Sequence, residues 1–358
     1  MKQIVCLSHM PWSSYPTRTQ QLVSRLSETD VLFFQPPGPK PSPKGRKVRP
    51  NVMVYELPKL ISIASNTAPV ARFNRRRIAA YIERIMARHH FREPLLWCTT
   101  PENIHQLDYL AYRGLVYDCH RYWSELPIDW EGDLANTADV CFAASEGLQD
   151  RLVPCNQNIA LLPNGVNYPL FRRELLETPS ELTDLSDAKV IGFFGPLTAD
   201  LDAAPLLQAA ELHSDWVFLL VGPVEPSAYL PHLEQFENIR ILGQKPLVEL
   251  PDYMSCCHVC VNLLYRLEAD SDVVPSRILE YLSAGKPVVS MLWRHQREEF
   301  PDVVYPARTA EEFISQCEAA LEENPDELLR RRRDYGAAAA WDLRAEEVMR
   351  ILDANALR

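Results

Sequence analysis

No stretch of this sequence stays apolar for the ~20 residues that would cross a bilayer. An excess of positive charge is also missing. Lys and Arg number 37 against 48 Asp and Glu, a formal net charge of −11. Nucleic-acid binders usually carry the opposite sign, so no nucleic-acid partner is expected. The first residues, Met1-Lys2-Gln3-Ile4-Val5-Cys6-Leu7-Ser8, lack the long apolar core and small-residue cleavage site of a secretory signal. They read as a first β-strand, and the expected location is cytoplasmic. The 9 cysteines have no regular spacing. Cys98, Cys119 and Cys141 sit in apolar runs and read as small buried hydrophobes. Cys256, Cys257 and Cys260 contain one C-x-x-C, but no second ligand pair stands at zinc spacing, so no metal site is expected.

What is present is a globular composition, 47% hydrophobic and 24% charged, long enough for two domains. Apolar runs at 4–8, 31–35, 95–99, 115–118, 140–144 and 160–163 read as buried strands. Amphipathic stretches alternate with them; residues 17–28 place Leu22, Val23 and Leu26 on one face. That alternation implies a parallel sheet covered on both sides. The pattern then restarts, with strands at 190–194, 217–221, 239–242, 259–264 and 288–291 and helices at 204–212 and 276–284. The polar segment 172–189 is the linker candidate. The expected class is α/β, with two Rossmann-like doubly wound lobes facing a central cleft. The expected domains are 1–172, 173–335 and a closing helix, 336–358, that packs back on the first lobe, with an interruption at Gly336. Ligands of such sheets sit beyond the carboxyl ends of the strands. Segment 36–50, rich in Pro, Lys and Gly, reads as an exposed loop, with an acceptor-binding flap as the alternative.

The stretch most informative about chemistry is Asp272-Val273-Val274-Pro275-Ser276-Arg277-Ile278-Leu279-Glu280-Tyr281-Leu282-Ser283-Ala284-Gly285-Lys286-Pro287-Val288-Val289. Ser276 is placed to cap a helix and Gly285 to close it. Asp272 and Glu280, eight residues apart, bracket the helix start, and carboxylates suit ribose and sugar hydroxyls. Arg277 in the first turn, with the helix N-terminal amides, suits a diphosphate. Each charge by itself is also what a solvated surface residue looks like; the arrangement is what points to a site.

These residues resemble the E-x(7)-E signature of glycosyltransferase family 4, with Asp272 for the first Glu. Residues 279–289 are similar to that family's EYLAxGxPVV run. Leu162-Pro163-Asn164-Gly165-Val166-Asn167 with Phe171 resembles its PNGVD…F segment. Residues 138–145 resemble its ADxVxxxS strand, and Trp341-Asp342-Leu343-Arg344 its SWxxR run. The resemblance implies the GT-B fold and transfer of a hexose from a UDP- or GDP-sugar. It implies that Glu280 holds the donor ribose and Asp272 the donor sugar. It implies that the turn Phe194-Gly195-Pro196-Leu197 binds phosphate through backbone amides. Members often carry an Arg beside that Gly and a Lys five residues on; Pro196 and Leu201 stand there, and Arg277 is the substitute cation, beside Ser276. The nucleotide base is expected on the loop Gln244-Lys245-Pro246. In the first lobe, Val116-Tyr117-Asp118-Cys119-His120 ends a strand; His120 is expected near the transferred sugar. Asp118 comes second, and is the base if the enzyme inverts. The run Arg18 to Leu26 is similar to polysaccharide enzymes of the teichuronic-acid type. Acceptor contacts are expected from Trp12, Ser13, Tyr15 and Arg18, in a loop that lacks the Gly-rich turn of many relatives. Retention without a metal or other cofactor is implied, the leaving phosphate taking the acceptor proton.

Two further features are weighed. Asp270-Ser271-Asp272 and Asp200-Leu201-Asp202 spell D-x-D, which an acidic composition gives by chance, and neither is read as a metal site. Arg72, Arg75, Arg76, Arg77, Arg84, Arg88 and Arg92 share a helical stretch with Phe73, Ile78, Ile82, Ile85 and Met86. A peripheral contact with anionic lipid at the inner face of the plasma membrane, serving a lipid-linked acceptor, competes there with a plain helix packed on the first lobe. The leading function is a hexosyltransferase of bacterial polysaccharide synthesis acting on a saccharide or lipid-linked saccharide. The alternatives are a nucleotide-sugar 2-epimerase and a non-catalytic nucleotide-sugar-binding protein.

Overall fold

The computed structural model describes residues 2–13, 15–39, 42–61, 68–227, 229–266, 271–291 and 300–357, Pro325 by its backbone alone. The chain forms two compact units: residues 1–163 with 342–358, and residues 164–341.

Unit 1 carries β1 (Lys2–Leu7), β2 (Thr29–Gln35), β3 (Arg46–Arg49), β4 (Val52–Glu56), β5 (Leu95–Cys98), β6 (Gly114–Cys119), β7 (Val140–Ala143) and β8 (Ile159–Leu161). They form one sheet in the order β3-β4-β2-β1-β5-β6-β7-β8. All neighbours are parallel except β3, which runs antiparallel to β4. The inner strands are buried on both faces, which is why they read as unbroken apolar runs rather than alternating ones. Segment 36–50 is not wholly loop. Its end forms β3, an exposed edge strand whose Arg-Lys-Val-Arg sequence hides the strand signal and also discourages further pairing.

The basic stretch forms the helix Ala68–Arg88. Its Ile82, Ile85 and Met86 are buried in the unit's core while Phe73 is exposed. The apolar face is therefore largely covered by the protein itself. The last helix, Trp341–Ala354, belongs to unit 1 from Asp342 on. Arg25 Nε donates to Asp342 Oδ1 at 3.0 Å, Asn158 Nδ2 donates to Asn355 Oδ1 at 2.7 Å, and Val348, Leu352 and Leu357 are buried. Among the described residues no helix is long and apolar enough to cross a membrane.

Unit 2 carries β9 (Lys189–Phe194), β10 (Trp216–Val221), β11 (Ile239–Gly243), β12 (Val259–Asn262), β13 (Val288–Met291) and β14 (Val304–Ala307). They form an all-parallel sheet in the order β11-β10-β9-β12-β13-β14. The order reverses at β9, so a switch point lies there, where ligands of such sheets bind. The segment read as a linker lies inside this unit. A short 3₁₀ helix, Ser180–Leu185, buries Leu182 and Leu185. Gly336 does not interrupt the helix Pro325–Ala338. A Cβ there would come 2.2 Å from Ser283 Oγ and 3.0 Å from Ser283 Cα, so the glycine lets this helix lie close against the helix Ser276–Ala284.

Candidate functional site

In unit 2 the site is built at the ends of β9 and β12. The helix Ser276–Ala284 starts after Pro275, which has extended backbone and caps nothing with a side chain. Ser276 is thus the first helical residue and not the cap that was expected. The Ile278 amide folds back on the Pro275 carbonyl at 3.1 Å, and the amides of Ser276 and Arg277 have no acceptor among the described residues, as the first turn of a helix requires. At the other end Gly285 takes φ +80°, the left-handed conformation of a helix stop, and the Lys286 amide donates to Tyr281 O at 3.0 Å.

Arg277 is held rather than free. Its Nε donates to Oδ1 of Asn262, the fully buried last residue of β12, at 2.5 Å. Its guanidinium lies 4.9 Å from the Tyr265 ring centre and 5.8 Å from that of Phe193. Tyr265 in turn donates to Pro196 O at 2.8 Å. The cation is thereby fixed beside the turn that follows β9, with ring faces stabilising its charge.

Glu280 sits one turn further along the helix, half-buried, and makes no hydrogen bond or ion pair among the described residues. Loss of water pushes its carboxyl up to about 7, against the opposing pull of Arg277. A partly buried carboxylate without partners is an acceptor waiting for donors. Asp272 is half-buried in the segment before the helix, which Asn164 ties down by donating to Val274 O at 2.9 Å. Asp270 lies outside the described residues.

One expectation fails here. The Gly195 amide donates to Val221 O at 3.0 Å and the Leu197 amide to Pro223 O at 2.8 Å. Pro196 has no amide hydrogen, so this turn offers no free backbone donors to a phosphate. Tight packing explains it: a Cβ at Gly222 would sit 2.0 Å from the Gly195 carbonyl oxygen. Lys245 is likewise engaged, donating to Glu181 Oε1 at 2.6 Å while Tyr253 donates to the same oxygen at 2.6 Å. Gln244 is exposed.

In unit 1 the carboxyl ends of β1 and β6 bring His9, His120 and Trp123 together. The imidazoles stack at 4.9 Å, and each meets Trp123 edge-on. Their tautomers follow from their partners. His120 Nδ1 faces the Asp118 carbonyl at 3.1 Å, so it carries the proton. Thr99 Oγ1 donates to Leu7 O at 3.1 Å, so His9 Nδ1, 3.1 Å from that oxygen, must be its donor. Both Nε2 atoms are left as lone pairs. Burial, then His120 and Arg121, lower His9 to about 3; burial chiefly lowers His120 as well. Both rings are neutral at pH 7. His9, two residues past the end of β1, belongs to no motif, and only its place after the first strand marks it in the sequence.

Asp118 is not available as a base. It is fully buried, and Arg18 Nε donates to its Oδ1 at 3.0 Å. The same ion pair removes Arg18, itself buried, from the acceptor contacts. Trp12 donates its amide to Gln35 Oε1 at 2.9 Å and sets its ring edge-on to Phe33. Ser13 Oγ accepts from the Tyr15 amide at 3.1 Å, and Ser13 O from Gln20 Nε2 at 3.2 Å. These contacts shape the loop; Tyr15 and Trp12 remain half-buried, and Ser14 lies outside the described residues. Among the described residues no cluster of three or more His, Cys, Asp or Glu is arranged to hold a metal ion.

Two doubly wound units in succession are the architecture of the GT-B fold. Comparison with known proteins agrees. Residues 188–323 match the family described as glycosyl transferases group 1. A putative teichuronic acid biosynthesis glycosyltransferase of Bacillus subtilis is 24% identical over 71% of this chain and 70% of its own. Sucrose-phosphate synthase of Thermosynechococcus elongatus shares the fold at TM-score 0.77 and 15% identity, over 99% of both chains. Anabaena HepE, solved with UDP and glucose, does so at TM-score 0.66 and 15% identity, over 99% of this chain and 100% of its own. The chain is a glycosyltransferase of the GT-B fold and resembles bacterial polysaccharide glycosyltransferases.

Proposed function

We propose that the chain moves a hexose from a nucleoside-diphosphate sugar, UDP-linked in the first instance, to a saccharide or lipid-linked saccharide in bacterial polysaccharide synthesis. The observation that carries this is Glu280, half-buried and without a hydrogen-bond or ion-pair partner among the described residues, one turn from the fixed Arg277. The carboxylate accepts from the ribose hydroxyls, and Arg277 with the amides of Ser276 and Arg277 takes the diphosphate charge. HepE, whose fold this chain shares, was solved with UDP and glucose, which makes UDP the nucleotide to test.

In the proposed reaction the bond from the sugar's anomeric carbon to the diphosphate breaks and one to the acceptor oxygen forms. The acceptor proton passes to the departing phosphate. Charge growing on that phosphate meets Arg277, so no metal is needed, and configuration is retained. The neutral His9 and His120 offer Nε2 lone pairs to sugar hydroxyls. The reaction is placed in the cytoplasm. A contact with anionic membrane would use the arginines of the helix Ala68–Arg88 with exposed Phe73, Leu60 and Ile61. Co-sedimentation with anionic vesicles at low salt tests it, and absence of binding removes it.

A non-catalytic nucleotide-sugar-binding protein is the second reading, favoured by the engaged amides of Gly195 and Leu197. Calorimetric titration with UDP and GDP, followed by turnover of the sugar donors after EDTA treatment, separates the two. Saturable binding lost in Glu280→Ala, with metal-independent turnover, supports the transferase; binding without turnover on any acceptor supports the second reading; no binding of either nucleotide overturns both.

A further inference from the structure

An arginine side chain has many rotamers, and ordering one at each binding event costs free energy. Arg277 is ordered in advance, and the group that orders it carries no charge. Asn262 ends β12 and is fully buried. Its Nδ2 donates to Ser290 Oγ at 2.9 Å and to Met291 O at 3.3 Å, at the end of β13. With its donors engaged there, the amide turns its oxygen the other way, where it accepts from Arg277 Nε at 2.5 Å. A reversed amide would set its oxygen against the Met291 carbonyl and its NH2 against a guanidinium, which can only donate. Ser290, also fully buried, donates its own hydroxyl to Met291 O at 3.2 Å, so its oxygen is left to receive Asn262. A weaker bond from Arg277 Nη2 to Leu263 O, at 3.5 Å, and the Tyr265 ring face complete the hold.

Every one of these partners is neutral. Two other buried arginines of the chain are fastened differently: Arg18 by Asp118, at 3.0 Å, and Arg332 by Glu323, at 2.7 Å. An ion pair of that kind holds a guanidinium tightly but also cancels its charge. An amide holds it and leaves the charge for a ligand. The charge of Arg277 is indeed felt beside it, as the pull that opposes burial at the Glu280 carboxyl.

We propose that Asn262, backed by Ser290, is a positioning residue for the diphosphate: an uncharged clamp that aims the Arg277 guanidinium and keeps its charge available to the phosphates. This rests on the reading of Glu280 and Arg277 as the nucleotide site.

The test compares UDP with uridine, which lacks the phosphates, on the intact protein, by calorimetry for UDP and ligand-observed NMR for uridine. The ratio of the two affinities measures what the phosphates contribute. In the wild type UDP should bind ~10- to 100-fold tighter than uridine, the worth of hydrogen bonds between charged groups. Arg277→Gln should erase most of that ratio. Asn262→Ala should cut it at least ~5-fold with uridine binding unchanged, and Ser290→Ala by about 2-fold; a residue that merely supports the fold would weaken both ligands together. Asn262→Asp keeps the shape and tightens the hold but pairs the charge, so it should do no better than Asn262→Ala. Should Asn262→Ala fail to fold, Asn262→Asp and Ser290→Ala decide. A wild-type ratio in Asn262→Ala or Asn262→Asp, or uridine weakened as much as UDP, overturns the proposal and leaves the nucleotide site standing. A wild type that binds UDP no better than uridine overturns the diphosphate reading beneath it.

Discussion

Glu280 is the residue whose chemistry can be read most directly. Its carboxyl is raised by burial to about 7, so the folded chain holds that proton more tightly than the unfolded one. The stability it contributes is full below the ordinary carboxylate range and lost as pH rises through about 7. Glu280→Gln removes that loss. The ligand-free variant should melt above the wild type at pH 8 and level with it at pH 5; the same difference at both pH values in scanning calorimetry would mean the group ionises normally. Nucleotide binding should move the other way. Ribose hydroxyls donate best to the ionised form, so wild-type UDP affinity should rise with pH up to about 7 and then level. The variant should bind about 10- to 100-fold more weakly with a flat profile, the worth of hydrogen bonds to a charged group. Asp118 shows the opposite case: a strand-end carboxylate that invited a catalytic role is enclosed with Arg18 and carries structure instead.

At the level of elements, the helix Ser276–Ala284 depends on a neighbour that the sequence disguises. Gly336 lies within a helix, where glycine is ordinarily unfavourable by about 1 kcal/mol relative to alanine. Alanine should still be worse here, because its Cβ would meet Ser283. Gly336→Ala is expected to lose about 1–3 kcal/mol, the range for overpacking, by urea unfolding. Ser283→Ala in that background should recover part of the loss, since the nearest atom is the hydroxyl. Additive effects of the two changes would show that the helices do not press on each other there. Gly165 is a second close approach: a Cβ there would lie 2.8 Å from Ala339 O and from Trp341 Cδ2. It lets the segment Asn164–Val166 pair with the chain entering the last helix, whose Trp341 amide donates to Val166 O at 3.0 Å.

Across the whole chain, unit 1 is completed by residues from the far end of the sequence. Val348, Leu352 and Leu357 are buried, and a Cβ on Gly114 would sit 2.6 Å from Leu357 Cδ2, so the C-terminus is fitted against β6. Leu352→Ala should lower stability by about 2–5 kcal/mol. Deleting 342–358 removes several such side chains, which compares with the whole stability of a domain, and should leave unit 1 unfolded. A truncated chain with an unchanged thermal transition would show that the last helix is dispensable.

What the sequence by itself determined is the part governed by local pattern. The apolar runs of β1, β2, β5 to β7, β9, β10, β12 and β13 announced themselves because strands buried on both faces need no polar residues, while the edge strands β8 and β11 are apolar though only partly buried. Gly285 marked a helix end because few other residues adopt its backbone, and the run from Asp272 to Val289 located the helix Ser276–Ala284. The strands β3, β4 and β14 escaped notice; Arg46–Arg49 and Val304–Ala307 carry charge or proline where a buried strand would not, and Val52–Glu56 directly follows the Pro-, Lys- and Gly-rich segment. Tertiary structure alone decided which polar groups are already satisfied. The amides of Gly195 and Leu197 are taken by neighbouring strand ends, Asp118 is taken by Arg18 a hundred residues away, and Lys245 by Glu181. It alone also decided that His9 stacks on His120, and that Asn262 holds Arg277. Whether a charge or an amide is free depends on what lies beside it in space, and neighbours far apart in the chain leave no mark on local composition or period.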